Sequence, residues 1–244
     1  MVRYRLVAID LDETLLSFDK RISAKNKKWI NRAIQAGVMV VFTTGRGRQR
    51  VGKYQKTLGL HAPIVLVNGA EVWGESGELL ERSIIPINDI RALHQLAGSY
   101  DANFWGYHVD GLVGKRHWTK EMLTKDWLKF GMRHRDVHIL EKIREQVQTL
   151  PAIEMTSSSS TNIEIGPKGK TKESGIRKVC AHTGITMEEV MAIGDNMNDF
   201  RLIKAAGFGV AMGNATKQLK EVADAVTDSN DKSGVAKAIK KYVL

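Results

Sequence analysis

The sequence predicts an α/β fold with a doubly wound, parallel-sheet core into which a smaller α+β cap domain is inserted. Short apolar runs typical of buried parallel strands alternate with helical patterns near both ends of the chain, and the middle of the chain lacks them. The length of 244 residues is sufficient for such a core with one insertion.

Four apolar runs are the predicted strands of the core sheet, and each is bounded by polar or turn residues. They lie at residues 6–9, 38–42, 64–67 and 190–193, with residues 208–212 as a candidate fifth. Ser23 is the predicted N-cap of the helix after the first strand, and Gly37 stands where the residue following that helix belongs. Two further helices are predicted at residues 172–182 and 199–206.

Residues 84–165 are predicted to form the inserted cap domain, which leaves residues 1–83 and 166–244 for the core. Asp110-Gly111 is typical of a hairpin, because this pair suits the positive φ angles of a tight turn. Residues 121–130 and 140–150 have helical patterns. Residues 153–165 have a strand pattern that the serine run 157–160 interrupts, and we interpret that run as a hairpin loop.

Charge and composition narrow the classes of partner. The 37 Lys and Arg against 27 Asp and Glu give a formal charge of +10, which favours anionic partners without specifying them. We expect neither a membrane nor a nucleic-acid partner, because the sequence has no recognised nucleic-acid motif and no run of about 18 uncharged apolar residues. The single cysteine, Cys180, favours a cytoplasmic protein, and its helical neighbours indicate a core position.

Polar residues follow each predicted core strand at the point where the strand ends. In order along the chain they are Asp10 with Asp12, Thr43-Thr44-Gly45-Arg46, Asn68-Gly69, and Asp195-Asn196-Met197-Asn198-Asp199. Ligands of open α/β sheets bind at the carboxyl ends of the strands, so we expect these groups to share one site.

Four aspartates at two of these strand ends indicate a metal site. Crowded carboxylates raise each other's pKa unless a cation joins them, and oxygen ligands without His or Cys suit Mg²⁺ better than zinc. A single aspartate there would be interpreted as a helix N-cap. The set of four, Asp10, Asp12, Asp195 and Asp199, favours Mg²⁺ and phosphoryl chemistry.

The order and spacing of these motifs resemble the four motifs of the haloacid dehalogenase (HAD) superfamily. The matching residues are Asp10-Leu11-Asp12-Glu13-Thr14-Leu15, Thr44-Gly45-Arg46, Lys172 and Gly194-Asp195-Asn196-Met197-Asn198-Asp199. Residues 68–70, 167–172, 209–215 and 229–236 resemble, more narrowly, the Cof-type phosphatases, which insert their cap where residues 84–165 lie. Glu13 and Glu173 stand where many relatives carry glycine, and neither change removes a catalytic group.

The resemblance implies a magnesium-dependent phosphatase for a small phosphorylated metabolite, acting through an aspartyl-phosphate. Asp10 would be the nucleophile, and Asp12 would serve first as general acid and then as general base. The Asp10 and Asp195 side chains and the Asp12 backbone carbonyl would bind Mg²⁺.

The resemblance also assigns a phosphate site and a supporting residue. Asp199 would orient Lys172 or a metal-bound water. The residues that would hold the phosphate are Thr44, Gly45, Lys172 and Asn198. Alternatives remain open: Thr43 for Thr44, Lys168 or Lys170 for Lys172, and, for Arg46, either substrate contact or a surface position.

Two other functions remain alternatives at this point. A phosphosugar mutase would use the same aspartyl-phosphate, with cap arginines holding a second phosphate. A non-catalytic polyanion-binding protein would use the positive charge alone.

The histidines at 134 and 138 are interpreted as part of a solvated basic face rather than a metal pair. The sequence specifies neither the substrate, the cap residues that select it, nor the oligomeric state.

Overall fold

The computed structural model of the protein describes residues 3–244. The first part of the chain contains, in order, β1 (Leu6–Ile9), α1 (Ala24–Gln35), β2 (Met39–Thr43), α2 (Gly52–Leu58), β3 (Ile64–Leu66), β4 (Glu71–Trp73) and β5 (Leu79–Arg82). The middle part contains α3 (Ile87–Ser99), β6 (Asn103–His108), β7 (Gly111–Gly114), β8 (Trp127–Arg133), α4 (Val137–Val147), β9 (Ile153–Thr156) and β10 (Asn162–Pro167). The last part contains α5 (Lys172–Thr183), β11 (Val190–Gly194), α6 (Phe200–Ala205), β12 (Phe208–Ala211), α7 (Lys217–Val222), β13 (Ala225–Val226) and α8 (Gly234–Tyr242).

The larger sheet has the strand order β13-β12-β11-β1-β2-β3-β4-β5. The strands from β13 to β3 are parallel, and β4 and β5 extend the sheet as an antiparallel hairpin that the sequence did not predict. Strand β1 lies in the middle, and all four of its side chains are completely buried, as its apolar run implies. The predicted fold class and all five predicted core strands are confirmed.

Local capping explains the bounds of the first helix. The Ser23 hydroxyl accepts a hydrogen bond from the Asn26 N–H at 3.1 Å, which satisfies one of the free donors at the start of α1. After α1 ends, Gly37 has φ +85°, a conformation that glycine adopts without steric cost. Both capping predictions are confirmed.

The smaller sheet is antiparallel, with the strand order β7-β6-β8-β10-β9. Helices α3 and α4 pack on one face and enclose a separate hydrophobic core. The inserted part is therefore an α+β unit, as predicted. The bounds 84 and 165 remain a prediction.

One local prediction for the cap is wrong, and another is confirmed except for its turn geometry. Residues 121–130 are not one helix: a 3₁₀ turn at Lys120–Thr124 is followed by the central strand β8. Neighbours β6 and β10 hydrogen-bond to both edges of β8, and this pairing overrides the local helical pattern. The hairpin predicted at Asp110-Gly111 is confirmed, since β6 and β7 pair there, but neither residue has a positive φ.

Two further features concern the predictions made for membrane partners and for Cys180. Within residues 3–244, no helix is both long and apolar enough to cross a bilayer. Cys180 is buried, and burial raises the pKa of its thiol to about 11, which fits a core residue rather than a nucleophile.

Candidate active site

The carboxyl ends of β1, β2, β3 and β11 meet at one edge of the core sheet, below the cap sheet. The intervening cavity has a volume of about 450 Å³. Of the predicted site residues, those that line it are Asp10, Asp12, Thr44, Gly45, Asp195 and Asn198. Lys172 and Asp199 are buried beside this group and bond to it.

Lys172 connects two of the predicted aspartates. Its Nζ donates to Asp10 Oδ1 and to Asp199 Oδ1, both at 2.6 Å, and its side chain is completely buried. Lys172 is the first residue of α5, whose N-cap is Thr171, so the start of the helix places this lysine at the sheet edge. The alternative Lys170 pairs with Glu81 instead, and Lys168 is exposed.

Asp199 and Asp195 are held by neighbouring groups at the end of β11. Asp199 Oδ2 accepts the N–H groups of Asp195 at 3.1 Å and Asn196 at 3.3 Å. A Cβ on Gly194 would lie 2.4 Å from Asp199 Cγ, so the glycine permits this close approach. The buried Thr14 hydroxyl donates to Asp195 Oδ1 at 2.8 Å. No role for Thr14 was predicted from the sequence, although its place in the Asp-x-Asp-x-Thr motif that begins at Asp10 carried the signal.

The buried charges at this site do not balance. Asp10, Asp195 and Asp199 each bring an oxygen within 4.8 Å of the others, and Lys172 is the cation bonded among them. Burial raises the pKa of Asp10 to about 7 and that of Asp195 to about 9. Burial lowers the pKa of Lys172, but the attraction of Asp10 and Asp199 outweighs burial and raises it.

The same donor set fits Mg²⁺. Carboxylate oxygens are the ligands that this hard cation prefers, and a divalent charge would offset the excess negative charge of the cluster. Both oxygens of Asp199 already accept hydrogen bonds from protein groups. The side chains best able to hold the ion are therefore those of Asp10 and Asp195.

Asp12 lies in a different environment. Arg46 donates to both of its carboxylate oxygens, with Nε–Oδ2 and Nη2–Oδ1 distances of 2.6 Å, and Lys20 Nζ lies 2.9 Å from Oδ1. Burial raises the pKa of Asp12, but these hydrogen bonds outweigh it and lower the pKa to about 2. Arg46 thus contacts a predicted catalytic residue rather than lying free on the surface. In this arrangement Asp12 is ionised and a weak base, so it can donate a proton, or accept one readily, only after leaving Arg46 and Lys20.

The loop after β2 distinguishes between the two candidate threonines. Thr44 lines the cavity, whereas Thr43 is completely buried and its hydroxyl has no partner within residues 3–244. A Cβ on Gly45 would lie 3.0 Å from Asn68 Oδ1 and 3.3 Å from Lys129 Nζ. Gly45 therefore gives an amide of the core and a lysine of the cap room to approach the loop.

A buried polar bridge joins the cap to the core at this point. Lys129 Nζ donates to Glu164 Oε2 at 2.9 Å and to the Gly45 carbonyl at 2.8 Å, and Asn68 Nδ2 donates to Glu164 Oε2 at 2.9 Å. Asn198 Nδ2 lies 3.4 Å from Asn68 Oδ1. The position of Asn68 at the sheet edge was predicted from the sequence, but this bridge was not. Its one local signal was the charged Glu164 between two buried isoleucines.

Comparison with known proteins is consistent with this geometry. The sequence matches the haloacid dehalogenase-like hydrolases over residues 7–135 and 115–239. It is 39% identical over 243 residues to 5-amino-6-(5-phospho-D-ribitylamino)uracil phosphatase YcsE of Bacillus subtilis, an alignment that covers 100% of this chain and 97% of that protein. It is 26% identical over 272 residues to pyridoxal phosphate phosphatase YbhA of Escherichia coli, covering 98% of this chain and 99% of that protein.

Structural comparison agrees. A haloacid dehalogenase-like hydrolase from B. subtilis has a TM-score of 0.89 at 24% identity, covering 98% of this chain and 100% of that one. Both relatives named above are phosphatases, which favours hydrolysis over the mutase and polyanion-binding alternatives. The chain belongs to the haloacid dehalogenase-like hydrolases and is a phosphoric monoester hydrolase of that superfamily.

Proposed function

We propose that the protein hydrolyses small phosphate monoesters with Mg²⁺, by transferring the phosphoryl group first to Asp10 and then to water. The observation that carries this proposal is the position of Asp10. Its carboxylate lines the cavity, bonds to the buried Lys172 and belongs to the same carboxylate cluster as Asp195. A nucleophile held beside a fixed positive charge is suited to attack an anionic phosphoryl group.

In the first step, a carboxylate oxygen of Asp10 forms a bond to phosphorus as the bond from phosphorus to the alcohol oxygen breaks. Lys172 holds Oδ1 of Asp10, which leaves Oδ2 for the attack. The alcohol leaves with a proton supplied by Asp12. Mg²⁺, held by Asp10 and Asp195 with the Asp12 carbonyl, would offset the negative charge on the transferring group.

In the second step, water attacks the phosphorus of the aspartyl-phosphate as the bond from phosphorus to the Asp10 oxygen breaks, which releases phosphate and the free Asp10 carboxylate; Asp12 accepts the proton of that water. The contacts of Asp12 with Arg46 and Lys20 keep its carboxylate ionised, but a pKa of about 2 makes that carboxylate a weak base. The first step needs Asp12 protonated. We therefore infer that these contacts open when substrate binds.

The phosphate would be held at the strand ends around Asp10. Thr44 and Gly45 follow β2 and line the cavity, as does Asn198 after β11. Lys172 contributes its positive charge from its buried position beside the cavity. Asp199 orients the lysine through the 2.6 Å hydrogen bond that Lys172 Nζ donates to Asp199 Oδ1. These roles rest on position and on the family resemblance.

The substrate is proposed from the relatives. Both act on phosphorylated small molecules that carry a ring, and the one at 39% identity acts on 5-amino-6-(5-phospho-D-ribitylamino)uracil. That compound is the first candidate, and pyridoxal phosphate is the second. We keep the expectation of a cytoplasmic enzyme, which rests on the single cysteine.

The test is phosphate release from sugar phosphates, nucleotides and phosphorylated cofactors, with Mg²⁺ or with chelator. Asp10→Asn is compared with the wild type and with Asp19→Asn, which makes the same change at an exposed position. We expect release that requires Mg²⁺, persists in Asp19→Asn and is abolished in Asp10→Asn. Near-normal release by Asp10→Asn would overturn the nucleophile assignment, and transfer of phosphate to a sugar instead of water would identify a mutase.

A further inference from the structure

The face of the cap sheet that covers the cavity differs from its other face. Side chains alternate between the two faces along each strand. Phe130 and Met132 of β8 point to the cap helices and belong to the cap core, as does Phe104 of β6. Their neighbours in the strands, Trp105 and Arg133, line the cavity instead.

Trp105 lies flat across the neighbouring strand. It is the cross-strand partner of Gly131, and a Cβ on that glycine would lie 2.4 Å from Trp105 Cε2 and 2.5 Å from Cζ2. A side chain at position 131 would therefore displace the indole. On the other edge of β8, Gly131 is paired with Glu164. The indole of Trp105 therefore occupies the space that a side chain at position 131 would fill on the cavity face of the cap sheet.

The surroundings of Trp105 leave one ring face without an aromatic partner. Trp118 and Trp127 of the cap stack on each other at 5.1 Å, whereas Trp105 has no aromatic neighbour among residues 3–244. Arg133 Cζ lies 5.8 Å from the centroid of the Trp105 ring. Arg133 is exposed and forms no ion pair within the described part of the chain.

We propose that Trp105 stacks on a planar heteroaromatic ring at the end of the substrate remote from the phosphate. The enzyme would thus select phosphate monoesters of ring-bearing polyols or sugars over ringless ones. This inference rests on the proposed function, which places the phosphate at Asp10 in the same cavity. A half-buried indole lining a polar cavity can stack on a ring, and Arg133 can donate to ring carbonyl oxygens.

The test compares ligands that share the phosphate end and differ in the ring. One pair is 5-amino-6-(5-phospho-D-ribitylamino)uracil and ribitol 5-phosphate, and the other is uridine 5′-phosphate and ribose 5-phosphate. Dissociation constants are measured by calorimetry in the Asp10→Asn background, so that binding is read without turnover. Phosphate release by the wild type is measured separately and reports on the proposed function alone.

We expect the ring to strengthen binding by about tenfold or more in at least one pair, which lies within the range for a base stacked on an aromatic side chain. Trp105→Leu should remove this advantage and leave the ringless ligand within about twofold, whereas Trp105→Phe should keep most of it. Gly131→Ala, which displaces the indole without deleting it, should also reduce the advantage. Trp29→Leu, the same change on α1 outside the cavity, is the matched control.

Two results would overturn the inference. The first is the absence of a ring advantage in both pairs. The second is an equal loss of ringed and ringless binding in Trp105→Leu, which would show that Trp105 acts on the polyol or on the cap structure. Either result is compatible with Mg²⁺-dependent phosphate release by the wild type. The proposed function is therefore tested separately, by that release.

Discussion

Replacing Lys172 by methionine should strongly destabilise the protein. The ammonium group of Lys172 is completely buried and makes hydrogen bonds of 2.6 Å to Asp10 and Asp199. Methionine retains the apolar chain but leaves these carboxylates, with Asp195 close by, without their bonded cation. Removing one partner of a buried ion pair costs about 3–5 kcal/mol in the free energy of unfolding. For a chain of this size, that corresponds to a fall in Tm of roughly 6–20 °C.

The assay is thermal unfolding followed by calorimetry at neutral pH with chelator present. Lys168→Met is the matched control, because Lys168 is exposed and lies four positions away. Its free energy of unfolding should stay within about 0.5 kcal/mol of the wild type. The double variant Asp10→Asn with Lys172→Met should recover part of the loss, since it removes one of the unpaired carboxylates.

Two outcomes would refute this reasoning. If Lys172→Met and Lys168→Met unfold within about 1 kcal/mol of each other, Lys172 does not compensate a buried charge cluster. If the double variant is no more stable than Lys172→Met, the cost arises from packing rather than from unpaired carboxylates. Loss of phosphate release alone would not decide between these explanations.

Three further predictions follow from the site. Asp12→Asn should lower kcat/KM about 10²–10⁴-fold for an alkyl phosphate and far less for p-nitrophenyl phosphate, whose leaving group needs no proton; equal losses would contradict the acid role. Thr14→Val deletes the hydroxyl that donates to Asp195 and should weaken Mg²⁺ activation about 10–100-fold, whereas exposed Thr57→Val should not; unchanged activation in Thr14→Val would argue against that support. Burial raises the pKa of Glu164, but the charge of Lys129 outweighs burial and holds the pKa below its ordinary value of 4.5. The ionised carboxylate therefore stabilises the fold above pH 4.5, and this stabilisation is lost as the pH falls below that value. The Tm difference between wild type and Glu164→Gln should therefore stay nearly constant from about pH 7 to pH 5 and shrink as the pH falls below 4.5, and a difference that stays constant below 4.5 would contradict this assignment.

The strands of the core were predictable because each one has its own apolar run in the sequence, followed by polar residues. The buried run of β1 and the polar residues after β1, β2 and β11 are visible in the sequence. The cap was less predictable. Residues 121–130 have a helical pattern in isolation, but residues 127–133 form strand β8 because β6 and β10 pair with both its edges.

The contacts of individual site residues were predicted unevenly. Lys172 was chosen over its neighbours by motif spacing, and the structure places it against Asp10. For Arg46 the sequence left two alternatives, and neither was a pair of 2.6 Å hydrogen bonds to Asp12. The Lys129–Glu164 bridge carried almost no local signal, because one charged residue in a strand is more often exposed than paired.

The sequence by itself determined the alternation of strands and helices, the family and the order of the acidic residues along the core. Those properties follow from local periodicity and from the rule that parallel strands bring their carboxyl ends to one edge. Only the tertiary structure decided which side chains meet. The pairing of Asp12 with Arg46 spans 34 positions, and that of Lys129 with Glu164 spans 35. The flat position of Trp105 depends on the glycine opposite it in β8. Such contacts are set by strand register and by packing between distant segments, and a pattern within one segment does not encode them.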